Sequence, residues 1–249
     1  LPFPVHIIPG NQDVGNKHTR RPGPFPDRDD LALNVTSQRL QLFASYFGPL
    51  NWTFLHKGVR FTGFYAEAAG SGLREEERFW YFMDRLTKYP PARCHVAMTH
   101  YWLYINTPDE PAWDISKPEE YLNCYFSIDP PHRGRILDML QASGVTDLFC
   151  GHVHTGRPVE TTHGIRIHKT PAAGNTAQLT DRWTDSETRQ GFQRCKVTEK
   201  GVAVQFVPCS DPCAEFDSYG PSGHPRLRDR DYSQAREHPP LAPDPWLMK

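Results

Sequence analysis

Short apolar runs and helically spaced apolar positions alternate along most of this chain. Val5 to Pro9 (VHIIP) is an apolar run that predicts a buried strand, and Gly10-Asn11-Gln12-Asp13 predicts the turn that ends it. Residues 16 to 30 are polar and Pro-rich, as in a surface loop. Helical spacing begins after Thr36, a good N-cap, and stops at Gly48-Pro49. Trp52 to Leu55 and Val59 to Tyr65 read as the arms of a hairpin turning at Lys57-Gly58. Leu73 to Leu86 is amphipathic, with acidic residues in its first turn, where the helix dipole favours them. A strand from His95 to Thr99 ends at His100, and residues 106 to 131 read as an irregular aromatic insertion. Pro131 opens a helix that stops at Ser143-Gly144, and Thr146 to Cys150 is a strand running into Gly151-His152-Val153-His154. Two strand pairs follow: Val159 to Thr162 with Ile165 to Lys169, and Arg194 to Thr198 with Val202 to Val207.

Strand–helix units followed by strand pairs predict an α/β core sheet joined to a second, antiparallel-rich sheet. Residues 1–208 make one domain in this reading. Residues 209–249, rich in Pro, Asp, Arg and Gly, make a poorly packed tail. The 249 residues suffice for a sizeable core. With 28 basic against 29 acidic residues, nothing points to a nucleic-acid partner or a membrane surface. No run reaches the ~18 apolar residues of a membrane span. Residue 1 is Leu, which is expected of a fragment or a processed chain. The scattered cysteines read as ordinary reduced thiols, with Cys209-x3-Cys213 a weak pair, and Asn34 and Asn51 begin N-x-T sequons. The balance leans to the cytoplasm and leaves the compartment open.

Three short motifs follow predicted strands, the place where open α/β sheets hold ligands. They are Gly10-Asn11-Gln12-Asp13, Thr99-His100 and Gly151-His152-Val153-His154. Two His separated by one residue can turn both rings to one centre, and neutral imidazole suits Zn, Fe or Mn. Taken singly, each motif reads first as a turn, a core His or a solvated pair rather than as a metal site.

Together and in this order, the three motifs resemble the later motifs of the calcineurin-like metallophosphoesterases. The resemblance extends to Phe47-Gly48-Pro49, Trp52-Thr53-Phe54, Val59 to Phe64, and the helix and strand leading into Gly151. It covers about residues 5 to 207. It implies a four-layer αββα sandwich lacking its first strands and helices. It also implies two divalent metals (Fe, Mn or Zn) in the full-length protein. Asn11, His100 and His152 would bind one metal and His154 the other, with Asp13 orienting its neighbour. The activity implied is phosphoesterase hydrolysis of a phosphorylated small molecule or phosphoprotein by two-metal activation of water. Two departures stand against it. The family's opening Asp-x-His and Gly-Asp motifs are missing, which leaves the first metal His154 alone. Gln12 occupies the position where the family has a catalytic His, and an amide gives up no proton at neutral pH. His18, His95 and His132 are candidate substitutes. The alternative is therefore a catalytically impaired member that acts by binding or as a scaffold. Arg20 and Arg21 could reach a phosphate, and Tyr101, Trp102 and Tyr104 could wall a cleft or fill the core.

Overall fold

The computed structural model describes residues 4–24, 31–174, 177–199 and 201–209. Five helices are described: α1 (Asn11–Val14), α2 (Ser37–Phe47), α3 (Arg74–Leu86), α4 (Pro118–Phe126) and α5 (Pro130–Ala142). The strands are β1 (Trp52–His56), β2 (Val59–Gly63), β3 (Cys94–Thr99), β4 (Asp147–Cys150), β5 (Glu160–Thr162), β6 (Ile165–Lys169), β7 (Gly191–Thr198) and β8 (Gly201–Pro208). The main sheet has the order β1-β2-β3-β4-β6-β5, with β2, β3, β4 and β6 parallel and the two outer strands antiparallel. Helices join β2 to β3 and β3 to β4, and the crossover from β4 to β6 runs through β5.

Local chemistry accounts for the boundaries. Thr36 caps α2 by accepting the Arg39 N–H. Lys57 and Gly58 both have positive φ, 49° and 77°, which suits the tight hairpin turn between β1 and β2. Glu75, Glu76 and Glu77 lie in the first turn of α3, and Phe79, Phe82, Met83 and Leu86 form its buried stripe. That stripe packs with Ile136, Leu137 and Leu140 of α5 onto Ala97, Leu148, Ile165 and Ile167 of the sheet. The other face of the sheet carries Val59, Cys94 and Val96, and the β7–β8 hairpin covers it through Val197, Val202 and Val204. The result is a mixed α/β architecture of helix layer, main sheet and two-stranded sheet. Of the four layers expected, the outer helix layer has no counterpart among the described residues.

Four expectations need correction. Val5 to Pro9 forms no strand. Val5 and Ile7 are exposed, and the segment is held instead by His6, which stacks on Phe54 at 4.3 Å, and by the Trp52 indole, which donates to Ile7 O at 2.9 Å. The Gly10–Asp13 segment is the start of a one-turn helix, closed by Asp13 Oδ2 accepting the Gly10 N–H at 2.8 Å. The aromatic insertion contains α4, started by Pro118 at its first position, with Glu119 and Glu120 in its first turn and Tyr121 and Cys124 inward. The strands β5 and β6 join the main sheet rather than a second one, because β6 pairs in parallel with β4. The 209–249 tail lies outside the described residues except for Cys209. Among the described residues the cysteines are free thiols, and no helix is long and apolar enough to cross a membrane.

Candidate metal centre

Strands β3 and β4 run parallel and end level, Thr99 opposite Cys150. The Gly151 N–H donates to His100 O at 2.9 Å, so both histidine-bearing turns leave the same sheet edge. From the other side α1 brings in Asn11. A Cβ at Gly10 would lie 2.9 Å from His100 Cε1, so the close approach of α1 to that ring requires a glycine there.

Three side-chain atoms meet at this edge. His100 Nε2 lies 3.0 Å from Asn11 Oδ1 and 3.1 Å from His152 Nδ1. Their neighbours fix which atoms are acceptors. Asn11 Nδ2 donates to the Tyr125 hydroxyl at 3.1 Å and to Asn16 Oδ1 at 3.3 Å, which turns Oδ1 inward. His152 Nε2 faces Tyr125 O at 3.3 Å and can only donate there, so Nδ1 carries the lone pair. Burial, and then the proximity of His154, pushes His100 down to about 4. Burial followed by His100 holds His152 well below the ordinary imidazole range. Both rings are therefore neutral at physiological pH, the form that ligates metals.

The backbone supports this arrangement at a cost. His152 and His154 adopt φ of 66° and 61°, a region that side-chain-bearing residues seldom occupy. Strain of this kind costs on the order of 1–3 kcal/mol per residue and persists where the surroundings over-determine it. Here the His152 ring stacks on Tyr101 at 3.9 Å and 22°, with Tyr125 and Phe126 at 5.3 and 5.0 Å. His154 is half-buried and near enough to both other rings to lower them.

The donor set passes a simple test for a divalent ion. Two ligands about 2.1 Å from one ion and at right angles are roughly 3 Å apart, which is the spacing of His100 Nε2 from each of the other two atoms. The set is also short. Among the described residues no group of three or more His, Cys, Asp or Glu side chains is arranged to hold a metal. The trio has two histidines and an amide, and a carboxylate that would join a second ion to it is missing from the described residues. The expectation of two metals thus meets a structure in which no metal-holding cluster of His, Cys, Asp or Glu is found among the described residues.

Beside the trio opens a cleft of about 750 Å³, lined on one side by Asn11, Gln12, Asp13 and Asn16 and on the other by α4. Gln12 is exposed and Asp13 holds the Gly10 amide. Other sequence candidates lie elsewhere. His95 is buried between Thr62 Oγ1 and Ser143 O, and His132 packs against Gly70 and Trp80, so neither can stand in for a proton donor at Gln12. Arg20 and Arg21 are exposed, with Arg21 3.8 Å from Asp114. Tyr101, Trp102 and Tyr104 are core residues. Tyr125, Asn16 and Arg39 are site residues the sequence reading missed. The apolar spacing of α4 was the available signal for Tyr125.

No family model matches the sequence, and no curated protein does. Solved structures match in fold, 17 chains in all. One is the GAP50 anchor in the inner membrane complex of Plasmodium, 13% identical, with a TM-score of 0.40 over 66% of this chain and 50% of its own. Another is the purple acid phosphatase PPD1 from yellow lupin (Lupinus luteus) seeds, 14% identical, with a TM-score of 0.49 over 82% of this chain and 38% of its own. The chain spans half or less of the length of these two structures. The likeness is one of fold alone.

Proposed function

We propose that this chain is a catalytically impaired member of the calcineurin-like metallophosphoesterases, which binds a phosphate-bearing ligand at a half-assembled metal centre. The observation that carries this reading is the meeting of Asn11 Oδ1, His152 Nδ1 and His100 Nε2, two acceptors and the imidazole N–H that lies between them in the metal-free chain, with no metal-holding group of His, Cys, Asp or Glu side chains among the described residues. Asn11, His100 and His152 would hold one Fe, Mn or Zn ion, with His154 at its margin. An ion bound there would supply positive charge to a phosphoryl oxygen. Gln12 faces the same cleft and can donate a hydrogen bond to phosphate but no proton. A phosphoprotein or a small phosphomonoester would serve as ligand.

A second reading is hydrolysis of phosphomonoesters in a longer chain that adds the missing carboxylates. The neutral, inward-facing imidazoles favour it, since a purely structural site has no need of them. Metal analysis and p-nitrophenyl phosphate turnover on the same preparation separate the two. The expected result is at most one Zn or Mn ion per chain, lost in His100→Ala, with turnover at background. Robust turnover that follows metal content would overturn the impaired reading. Metal retained unchanged in both His100→Ala and His152→Ala would overturn the site itself.

A further inference from the structure

Several polar groups lining the cleft beside the metal centre have hydrogen-bonding capacity left over, and that narrows the ligand. Gln12 and Asp13 line it from α1. The Gln12 side chain is exposed and bonds to no described residue. Asp13 engages the Gly10 N–H through one carboxylate oxygen, and the other accepts from no described residue. Gln178 lines the same cleft and is fixed to the histidine turn by its main chain: its N–H donates to Val153 O at 3.1 Å, and its carbonyl accepts from the Thr155 hydroxyl. Its side-chain amide has no partner among the described residues. The rings on the α4 side offer a ligand less, because Tyr121 is buried and stacks on Tyr125 at 5.6 Å.

One cation lines the cleft among the described residues. Arg39 reaches it from α2, and its guanidinium crosses Gly15, where a Cβ would stand 2.9 Å from Nη1. Two of the guanidinium's five donors go to the carbonyls of Asn34 and Ala32, at 3.3 and 3.5 Å, which orient the group and leave donors for an anion.

Phosphate alone does not match this lining. Its dianion only accepts hydrogen bonds, which suits Arg39 and the amide N–H groups. The second Asp13 oxygen and the side-chain carbonyls of Gln12 and Gln178 also only accept, so phosphate cannot serve them. A ligand that displaces their water without donating in its place loses affinity. A hydroxyl both donates and accepts, and so matches a carboxylate oxygen and either end of an amide. The volume, about 750 Å³, is in the range of sites for ligands larger than phosphate itself.

We infer that the cleft selects the phosphate ester of a polyol, such as a sugar phosphate, with the phosphate served by Gln12, Arg39 and the metal-site edge and the hydroxyls by Asp13 and Gln178. This rests on the phosphate-binding reading above and adds the class of the esterified group. An alkyl phosphate of equal length satisfies Arg39 but leaves the acceptors of Asp13 and Gln178 dehydrated and unpaired.

The test is calorimetric titration of the chain with glucose 6-phosphate, hexyl phosphate, phosphoethanolamine and glucose, with and without Zn²⁺. Glucose 6-phosphate is expected to bind roughly tenfold more tightly than hexyl phosphate, the size that one or two net hydrogen bonds supply. Arg39→Gln should weaken both by a similar factor and keep their ratio. Gln178→Leu should lower the ratio towards one and leave hexyl phosphate binding unchanged, which also reports that the variant is folded. Equal binding of the two phosphates by the unaltered chain would overturn the polyol selectivity while leaving phosphate binding intact. A ratio unchanged in Gln178→Leu would overturn the assignment of the hydroxyls to that residue. Phosphoethanolamine binding as tightly as glucose 6-phosphate would overturn the hydroxyl in favour of an ammonium donor. Glucose binding as tightly as its phosphate would overturn the role of Arg39. Binding of no phosphate ester, with or without Zn²⁺, would sink the phosphate-binding reading together with this inference.

Discussion

Asn11 shows how much a single residue at this site depends on its partners. Its amide nitrogen is occupied by Tyr125 and Asn16, and only that leaves its oxygen to face His100 Nε2. The sequence shows the Asn and its turn, but not the hydroxyl 114 residues away that orients it. Gln12 is the opposite case, since its exposed side chain is held by nothing described and the role proposed for it rests on its chemistry alone. Gln12→His is expected to leave the thermal midpoint and metal stoichiometry unchanged. In a longer chain that adds the missing carboxylates, the turnover gained should favour alkyl phosphates over p-nitrophenyl phosphate, because an alkoxide needs a proton to leave and nitrophenolate does not. The gain on alkyl substrates should be on the order of 10²–10⁴, the usual size of acid catalysis. Equal gains on both substrates would mean that the imidazole acts through its charge instead.

At the scale of elements, local signals were read well where a cap or a turn marked them. Helix α2 begins after Thr36 and ends before Gly48 as its sequence directs. Thr36→Ala should therefore cost about 1 kcal/mol of unfolding free energy, seen as a lower denaturant midpoint at unchanged slope. No loss would mean that the Arg39 N–H finds water at equal benefit. Segments without such marks misled. Helix α4 starts at Pro118 inside a run rich in Pro and aromatics, where the inward spacing of Tyr121, Cys124 and Tyr125 was hidden by its surroundings. Val5 to Pro9 erred the other way, since a strand needs a neighbour as well as β-branched residues. The histidine turns were legible as a candidate site because parallel strands that end level bring His100 and Gly151 together, which follows from topology more than from either motif. The helix that completes the cleft was not legible, because its contribution depends on tertiary packing.

Over the whole molecule, burial of ionisable groups sets how stability varies with pH. Glu67 is 1% exposed and no other described residue hydrogen-bonds its carboxyl oxygens. Burial pushes it up to about 8 from 4.5, opposed by its own backbone amide and by the charge of Lys17. A raised carboxyl pKa means that the folded chain keeps a proton the unfolded chain has released. The stability from Glu67 is then complete below pH 4.5 and is lost as pH climbs to about 8. Buried His95 moves the opposite way, down to about 4 from 6.5, through burial first, with the Arg60 charge adding to it and the Ser143 carbonyl opposing. In the metal-free protein His100 and His152 shift in the same direction. Three imidazoles that bind protons only when unfolded make stability fall as pH drops below 6.5. From pH 4.5 to 6.5 they outnumber the single Glu67 proton, so stability rises with pH; above 6.5 only Glu67 counts, and it falls. Urea unfolding in the presence of a chelator should thus show a maximum near pH 6.5. The decline to pH 8 should be about 2 kcal/mol, one proton over that interval at roughly 1.4 kcal/mol per pH unit. Glu67→Gln, neutral at every pH, should flatten this alkaline limb and leave the acid limb in place. An alkaline limb that survives the substitution would show that a group other than Glu67 sets it.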